Sequence, residues 1–311
     1  MTTHAKITLG SLLFLCVIGC ADEVAAPSGV EEPFSVYGIM NPLLPTQTLL
    51  VSATENSVAP ASDSIDAVVT STNLTTGERH VWQDSVSANE TDQLDHVFWA
   101  EFRPDFSTRH LIEVIRSDGA ASLVYVDVPM DVTVESEDTG TRDLIAYIRG
   151  GDFRIMRADV VYSVRRHPDT ELSENPQLSY SFSYISDVSQ TASGFQIDID
   201  LHRHFDVIAS LYMLDIGGTW SSRRFPFHEG LALMRMNLRL TVGNDAWNPP
   251  GRETGQDVLV HPGTLSNVEN GFGFVGGGYN RDYPLYPSAS AIADTWFFDF
   301  LCRPYANCTD P

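Results

Sequence analysis

The sequence predicts an all-β chain, with an N-terminal immunoglobulin-like β-sandwich followed by a second β-rich domain. Three observations lead there. Short runs are rich in Val, Ile, Thr and aromatic residues, apolar and polar positions alternate within them, and turn-forming residues separate them at intervals of roughly ten residues.

Within residues 33–130 the candidate strands are 48–53, 65–72, 80–83, 97–102, 110–115 and 122–128. Leu74-Thr75-Thr76-Gly77-Glu78 joins one pair, Ser117-Asp118-Gly119 closes a hairpin, and 105–108 bridges another pair. This spacing is that of a sandwich. The acidic stretch Glu135-Ser136-Glu137-Asp138-Thr139-Gly140 then marks a boundary. In the second domain, 131–311, the candidate strands are 143–149, 154–164, 178–185, 195–204 and 234–242. Residues 206–215 and 289–300 are compatible with helices, and no fixed-period repeat occurs.

Residues 1–19 have the form of an export signal. Lys6 and the α-amino group precede an apolar run over 7–18, which is too short to span a bilayer before Asp22 and Glu23. The run ends in Val17-Ile18-Gly19-Cys20, which resembles the lipobox of bacterial lipoproteins, with a small residue before a cysteine that becomes acylated. Cys20 is therefore expected to be the lipid anchor, and the Ala-, Pro- and acid-rich segment 20–32 a tether. Such an address places the protein in the cell envelope, at the outer membrane.

Cys16 would leave with the signal and Cys20 would carry lipid, so Cys302 and Cys308 remain to form a disulfide in an oxidising compartment.

Charge excludes one class of partner. Acids outnumber bases 41 to 19, the net charge is −22, and Lys6 is the only lysine. A surface so negative repels nucleic acid, which requires a positive patch. It also resembles the surfaces of proteins adapted to high salt, although an Arg-favouring genome with an acidic envelope protein gives the same balance.

The segment Ser266-Asn267-Val268-Glu269-Asn270-Gly271-Phe272-Gly273 and its continuation to Gly277 carry a resemblance. Together with the lipobox, they resemble a family of uncharacterised Bacteroidota-type envelope lipoproteins that share an N-terminal β-sandwich and a late Ser-Asn-x-x-Asn-Gly-x-Gly segment. Members of that family are often encoded near outer-membrane receptor genes, and the resemblance implies an address and a fold, but no chemistry. The aromatic ending Trp296-Phe297-Phe298-Asp299-Phe300 departs from the pattern.

One constellation could support catalysis. Asp198, Asp200, His202, His204 and Asp206 alternate, so one continuous strand would put them on a shared face as ligands for zinc or another transition metal. The opposing reading is the polar face of an exposed strand. His228-Glu229 lacks the second histidine of a zinc-protease helix, since position 232 is Ala. No Gly-x-Ser-x-Gly elbow occurs, and Gly276-Gly277-Gly278 lacks the Lys of a phosphate loop. Trp220, Trp247, Tyr279, Tyr283 and Tyr286 could line a sugar or peptide groove or serve as packing.

These readings converge on a non-catalytic, membrane-anchored envelope protein, without a cofactor, that binds an outer-membrane receptor or a surface polymer. Two alternatives accompany it: a metal-assisted hydrolase built on Asp198 to Asp206, and a purely structural or adhesive module. The expected partner surface is Asn267, Asn270, Gly271, Gly273, Tyr279, Arg281, Tyr283 and Tyr286, where glycine freedom meets Tyr and Arg, residues enriched in binding hot spots.

Overall fold

The computed structural model describes residues 33–54, 64–88, 94–139, 143–166, 178–215, 231–244 and 266–288. These residues are mainly β, with one helix among them. Cys20, Cys302, Cys308, the 1–19 and 20–32 segments, Trp220, Trp247, His228 and the 289–300 segment lie outside the described residues.

The first group of strands is β1 (Phe34–Met40), β2 (Thr46–Ala53), β3 (Val68–Asn73), β4 (Arg79–Val81), β5 (Gln83–Ala88), β6 (Leu94–Glu101), β7 (Arg109–Ile115) and β8 (Ala121–Asp127). Alternation sets their faces. In β7, His110, Ile112 and Val114 point inward, while Arg109 is exposed and Leu111, Glu113 and Ile115 are half-buried. The expected strand at 80–83 is broken: Trp82 is buried between β4 and β5, its indole N–H donating to Ser71 Oγ at 3.0 Å, so the chain leaves one sheet and enters another there.

The turns follow their residues. Asn73 Oδ1 accepts from the N–H groups of Thr75 and Thr76 at 2.8 and 3.2 Å, an Asx turn that delivers the chain to Gly77. In the next hairpin the Gly119 N–H donates to Arg116 O at 2.9 Å, while Asp118 accepts from Ala120 N–H at 3.0 Å.

The second group is β9 (Thr133–Asp138), β10 (Asp143–Arg149), β11 (Arg154–Arg166), β12 (Leu178–Ser183), β13 (Ser189–Thr191), β14 (Gly194–Asp200), α1 (Leu201–Asp215), β15 (Leu231–Gly243), β16 (Val268–Glu269) and β17 (Gly271–Pro284). The expected strand at 195–204 is corrected: it stops at Asp200, and a helix runs from Leu201. The Asp200 carboxylate accepts from the Arg203 N–H at 2.9 Å, capping the helix N-terminus. From there Leu201, Phe205, Ile208, Ala209 and Tyr212 are all buried, at helical rather than strand spacing.

Three sheets result. An eight-stranded sheet has the order β12-β11-β15-β17-β1-β2-β6-β5, a five-stranded one β16-β8-β7-β3-β4, and a four-stranded one β13-β14-β10-β9. Two hydrophobic cores lie between them. The first contains Phe34, Val36, Leu49, Val51 and Phe98 from the large sheet against Val69, Ile112, Val114, Val124 and Val126. The second joins Val160, Tyr162, Leu238 and Leu240 to Leu144, Ile148, Ile197, Ile199 and the helix residues Phe205 and Ile208. Each such side chain contributes about 1.5–3 kcal/mol when fully buried.

Strand β17 belongs to both cores. Its residues Gly271 to Gly277 pair in parallel with β1, and Gly278 to Pro284 pair antiparallel with β15. Val268 and Val275, which the sequence assigned to the region after residue 130, pack in the first core, whereas Tyr279 and Leu285 pack in the second. The large sheet is thus continuous across the expected boundary at residue 130.

Candidate functional site

The ligand row expected from the sequence is not one face of one strand. Asp198 is exposed on β14 and accepts from Gln196 Nε2 at 2.8 Å, and Asp200 caps α1. His202 pairs with Asp206 one helical turn later at 3.2 Å. His204 turns into the second core, 3% exposed. A strand face would have aligned all five, but the helix rotates successive residues by about 100° and disperses them. Among the described residues no group of three or more His, Cys, Asp or Glu side chains is placed to hold a metal ion.

His204 instead joins elements. Its Nδ1 lies 2.7 Å from the Tyr162 hydroxyl and its Nε2 2.9 Å from the Tyr184 hydroxyl, and the ring stacks on Phe182 at 3.8 Å. Burial lowers its pKa to about 4, so the ring is neutral at pH 7, donating to one phenol and accepting from the other. Burial also raises both tyrosines, Tyr184 to about 12.

The expected partner loop is an interior strand. Asn267 is half-buried, and its side-chain amide pairs with the backbone of Val275, donating to its C=O at 2.7 Å and accepting from its N–H at 3.0 Å. Asn270, at φ 51°, forms the tight turn into β17. Gly271 and Gly273 are needed for close approach: at Gly273, φ is 107° and a Cβ would lie 2.1 Å from Val36 O. Tyr279 is 2% exposed, and its hydroxyl donates to Met130 O at 3.1 Å and accepts from Val132 N–H at 3.0 Å. Tyr283 donates to Val132 O at 3.2 Å. Arg281 lies between these two tyrosines, pairs with Asp131 and faces the Phe106 ring at 5.6 Å. Together these side chains fasten the connection between the cores. Tyr286, beyond the strand, is 45% exposed.

Two clefts lie elsewhere. One, of about 360 Å³, sits at the junction of the cores and includes Ser107, Thr108, Arg109, Asp127, Asp152 and Asn244. Ser107 has φ 60°, and Arg109 faces Asp127 at 3.6 Å. The other, of about 370 Å³, lies at the corner where β4 ends the five-stranded sheet and β5 ends the eight-stranded one. Its lining includes Arg79, His80, Val81, Gln83, Trp99 and Glu101. Volumes of roughly 300–1,000 Å³ suit small ligands.

The corner cleft is backed by a fixed aromatic cluster. His80 stacks on Phe102 with centroids 4.1 Å apart and planes 7° from parallel, Trp82 meets Phe102 edge-on at 5.9 Å, and His110 lies on Phe102 at 6.1 Å. Thr108 Oγ1 donates its one hydrogen to Asp105 O at 2.6 Å, so it accepts from His110 Nε2–H at 3.1 Å. The remaining His110 Nδ1 is buried without a hydrogen-bond partner among the described residues, and burial lowers the pKa of the ring. Sequence reasoning missed this cluster because it read 80–83 as one strand. The available signal was Trp82 interrupting the alternation.

No protein-family model matches the chain, and no curated protein matches it. Among solved structures it is similar to a pullulanase from Anoxybacillus sp. LM18-11, alone and complexed with maltotriose, each at 9% identity, TM-score 0.20, over 68% of this chain and 24% of that one. A pullulanase type I from Bacillus subtilis str. 168 complexed with maltose is similar at 10% identity, TM-score 0.20, over 67% and 23%. The chain spans about a quarter of the length of these enzymes, and a likeness this slight says nothing of its own activity.

Proposed function

We propose that this chain is a lipid-anchored protein of the bacterial envelope, on the outer membrane, that binds a surface polymer or a receptor without transforming it. The observation that carries the reading is the apolar run over 7–18 ending in Val17-Ile18-Gly19-Cys20. Two or three acyl chains on one cysteine give stable anchoring, because each buried methylene adds about 0.8 kcal/mol. Supporting the binding role, the described surface carries two open clefts of mixed polarity, one at the meeting of two sheet edges.

The test is Cys20→Ala in the full chain, with metabolic labelling by an alkyne fatty acid and fractionation of cells. The expected result is loss of label and release from the membrane fraction. Undiminished labelling and membrane retention would overturn the anchor. For binding, the wild-type chain cross-linked in intact cells should yield a discrete adduct with an envelope component, and its absence would count against the role.

A further inference from the structure

We infer that the corner cleft between β4 and β5 is a binding site for a neutral glycan. This gives the binding role proposed above its ligand class, and rests on that role, although it does not require the anchor.

The argument begins with orientation. In β6, Phe98 and Ala100 point into the first core, so Trp99 and Glu101 point outward from the sheet. Gln83 of β5 stands directly opposite Trp99 in the ladder. Val81, 66% exposed, adds an apolar patch from the neighbouring sheet. The cleft therefore offers an indole and an isopropyl group beside a planar amide and a carboxylate.

The polar groups divide into held and open ones. The Arg79 guanidinium donates to Thr70 Oγ1 at 3.3 Å, and Thr70, 1% exposed, faces Glu113 at 3.5 Å. His80 is fixed by its stack on Phe102 and by Glu78 at 3.4 Å. By contrast, the Trp99 indole N–H, the Gln83 amide and the Glu101 carboxylate make no hydrogen bond to other described residues. Three open hydrogen-bonding groups thus adjoin a flat apolar surface on a rigid frame, which limits the ordering cost of binding.

A sugar ring has matching chemistry. Its C–H face packs on an aromatic ring, while neighbouring hydroxyls each donate and accept, suiting the amide and carboxylate. Arg79 and Glu101 balance in charge, and the chain carries −22 overall, so a neutral glycan fits better than an anionic one.

The experiment titrates the purified full chain, in a sugar-free detergent, with cellotetraose, maltotetraose, mannotetraose and the anionic tetragalacturonate, read by calorimetry and ligand-observed NMR. At least one neutral tetrasaccharide should bind with Kd near or below about 1 mM, and the anionic one at least about tenfold more weakly. Trp99→Ala should weaken binding by about tenfold or more, and Gln83→Ala and Glu101→Ala, at exposed positions, by about threefold or more with unchanged Tm. If Trp99→Ala does not fold, the two exposed variants decide. The inference is overturned if no neutral probe binds up to about 10 mM, if the anionic probe binds best, or if the exposed variants bind like wild type. Because Cys20 is intact throughout, loss of sugar binding with normal fatty-acid labelling removes this inference while leaving the anchor standing.

Discussion

The Tyr279 hydroxyl accepts a hydrogen bond from the Val132 backbone N–H at 3.0 Å while donating to Met130 O at 3.1 Å, so one phenol in β17 satisfies both sides of the connection between the two cores. Tyr279→Phe keeps the ring and leaves a buried donor and acceptor unmet, a cost of about 1–3 kcal/mol for each such group. Urea denaturation of the variant should show a lower midpoint. An unchanged midpoint would mean that water replaces the phenol there.

His204 gives the protein an acid-sensitive core. Its pKa is depressed to about 4 by burial, from about 6.5 in the unfolded chain, so between those values the unfolded state binds more protons. The stabilising contribution is present above pH 6.5 and is lost as pH falls towards 4, amounting to about 3 kcal/mol over the window. His110, also lowered by burial, acts in the same direction. Equilibrium unfolding from pH 7 to 4 should therefore show falling stability, with a shallower slope in His204→Gln. An equal slope in that variant would exclude His204 as the source.

Two glycines should respond very differently to alanine. At Gly273, the φ of 107° combines with a Cβ position 2.1 Å from Val36 O, so Gly273→Ala should cost about 3 kcal/mol or more. At Gly119, φ is 93° but nothing lies within 4 Å, so only the backbone term of about 1 kcal/mol applies. Comparable losses in the two variants would contradict the close packing of β17 on β1.

Asp200→Ala should remove the cap of α1 and cost about 1 kcal/mol. The loss should be the same with and without added zinc. A zinc-dependent rise in melting temperature that disappears in the variant would restore the metal reading.

Legibility in the sequence followed the range of the forces involved. The alternation of His110, Ile112 and Val114 is local, and so are the turns at Gly77 and Gly119, which is why those elements were readable. The start of α1 was not, because Ile197 and Ile199 alternate smoothly into Leu201, the first residue of the helical stripe. The glycines of β17 read as loop residues, since their purpose lies in Val36 O and Asp127 O, more than a hundred positions away in sequence. The corner cleft was hidden for the same reason: Trp99 and Arg79 meet only because two different sheets end side by side.

Net charge supplies a further expectation. With −22 on the chain, self-repulsion should be relieved by sodium chloride, and Tm should rise from low to molar salt. A flat or falling Tm would show that repulsion does not limit stability.

The parallel pairing of β1 with β17 also has a consequence for the order in which the protein can be completed. Synthesis delivers β1 long before β17, and until the later strand arrives β1 and β15 each present a row of unpaired backbone groups to their surroundings. Insertion of that single strand seals both edges and supplies Val275 to one core and Tyr279 to the other in the same event. The early chain therefore stays open to chaperones, and closure is a late, slow step set by contacts of very long sequence separation.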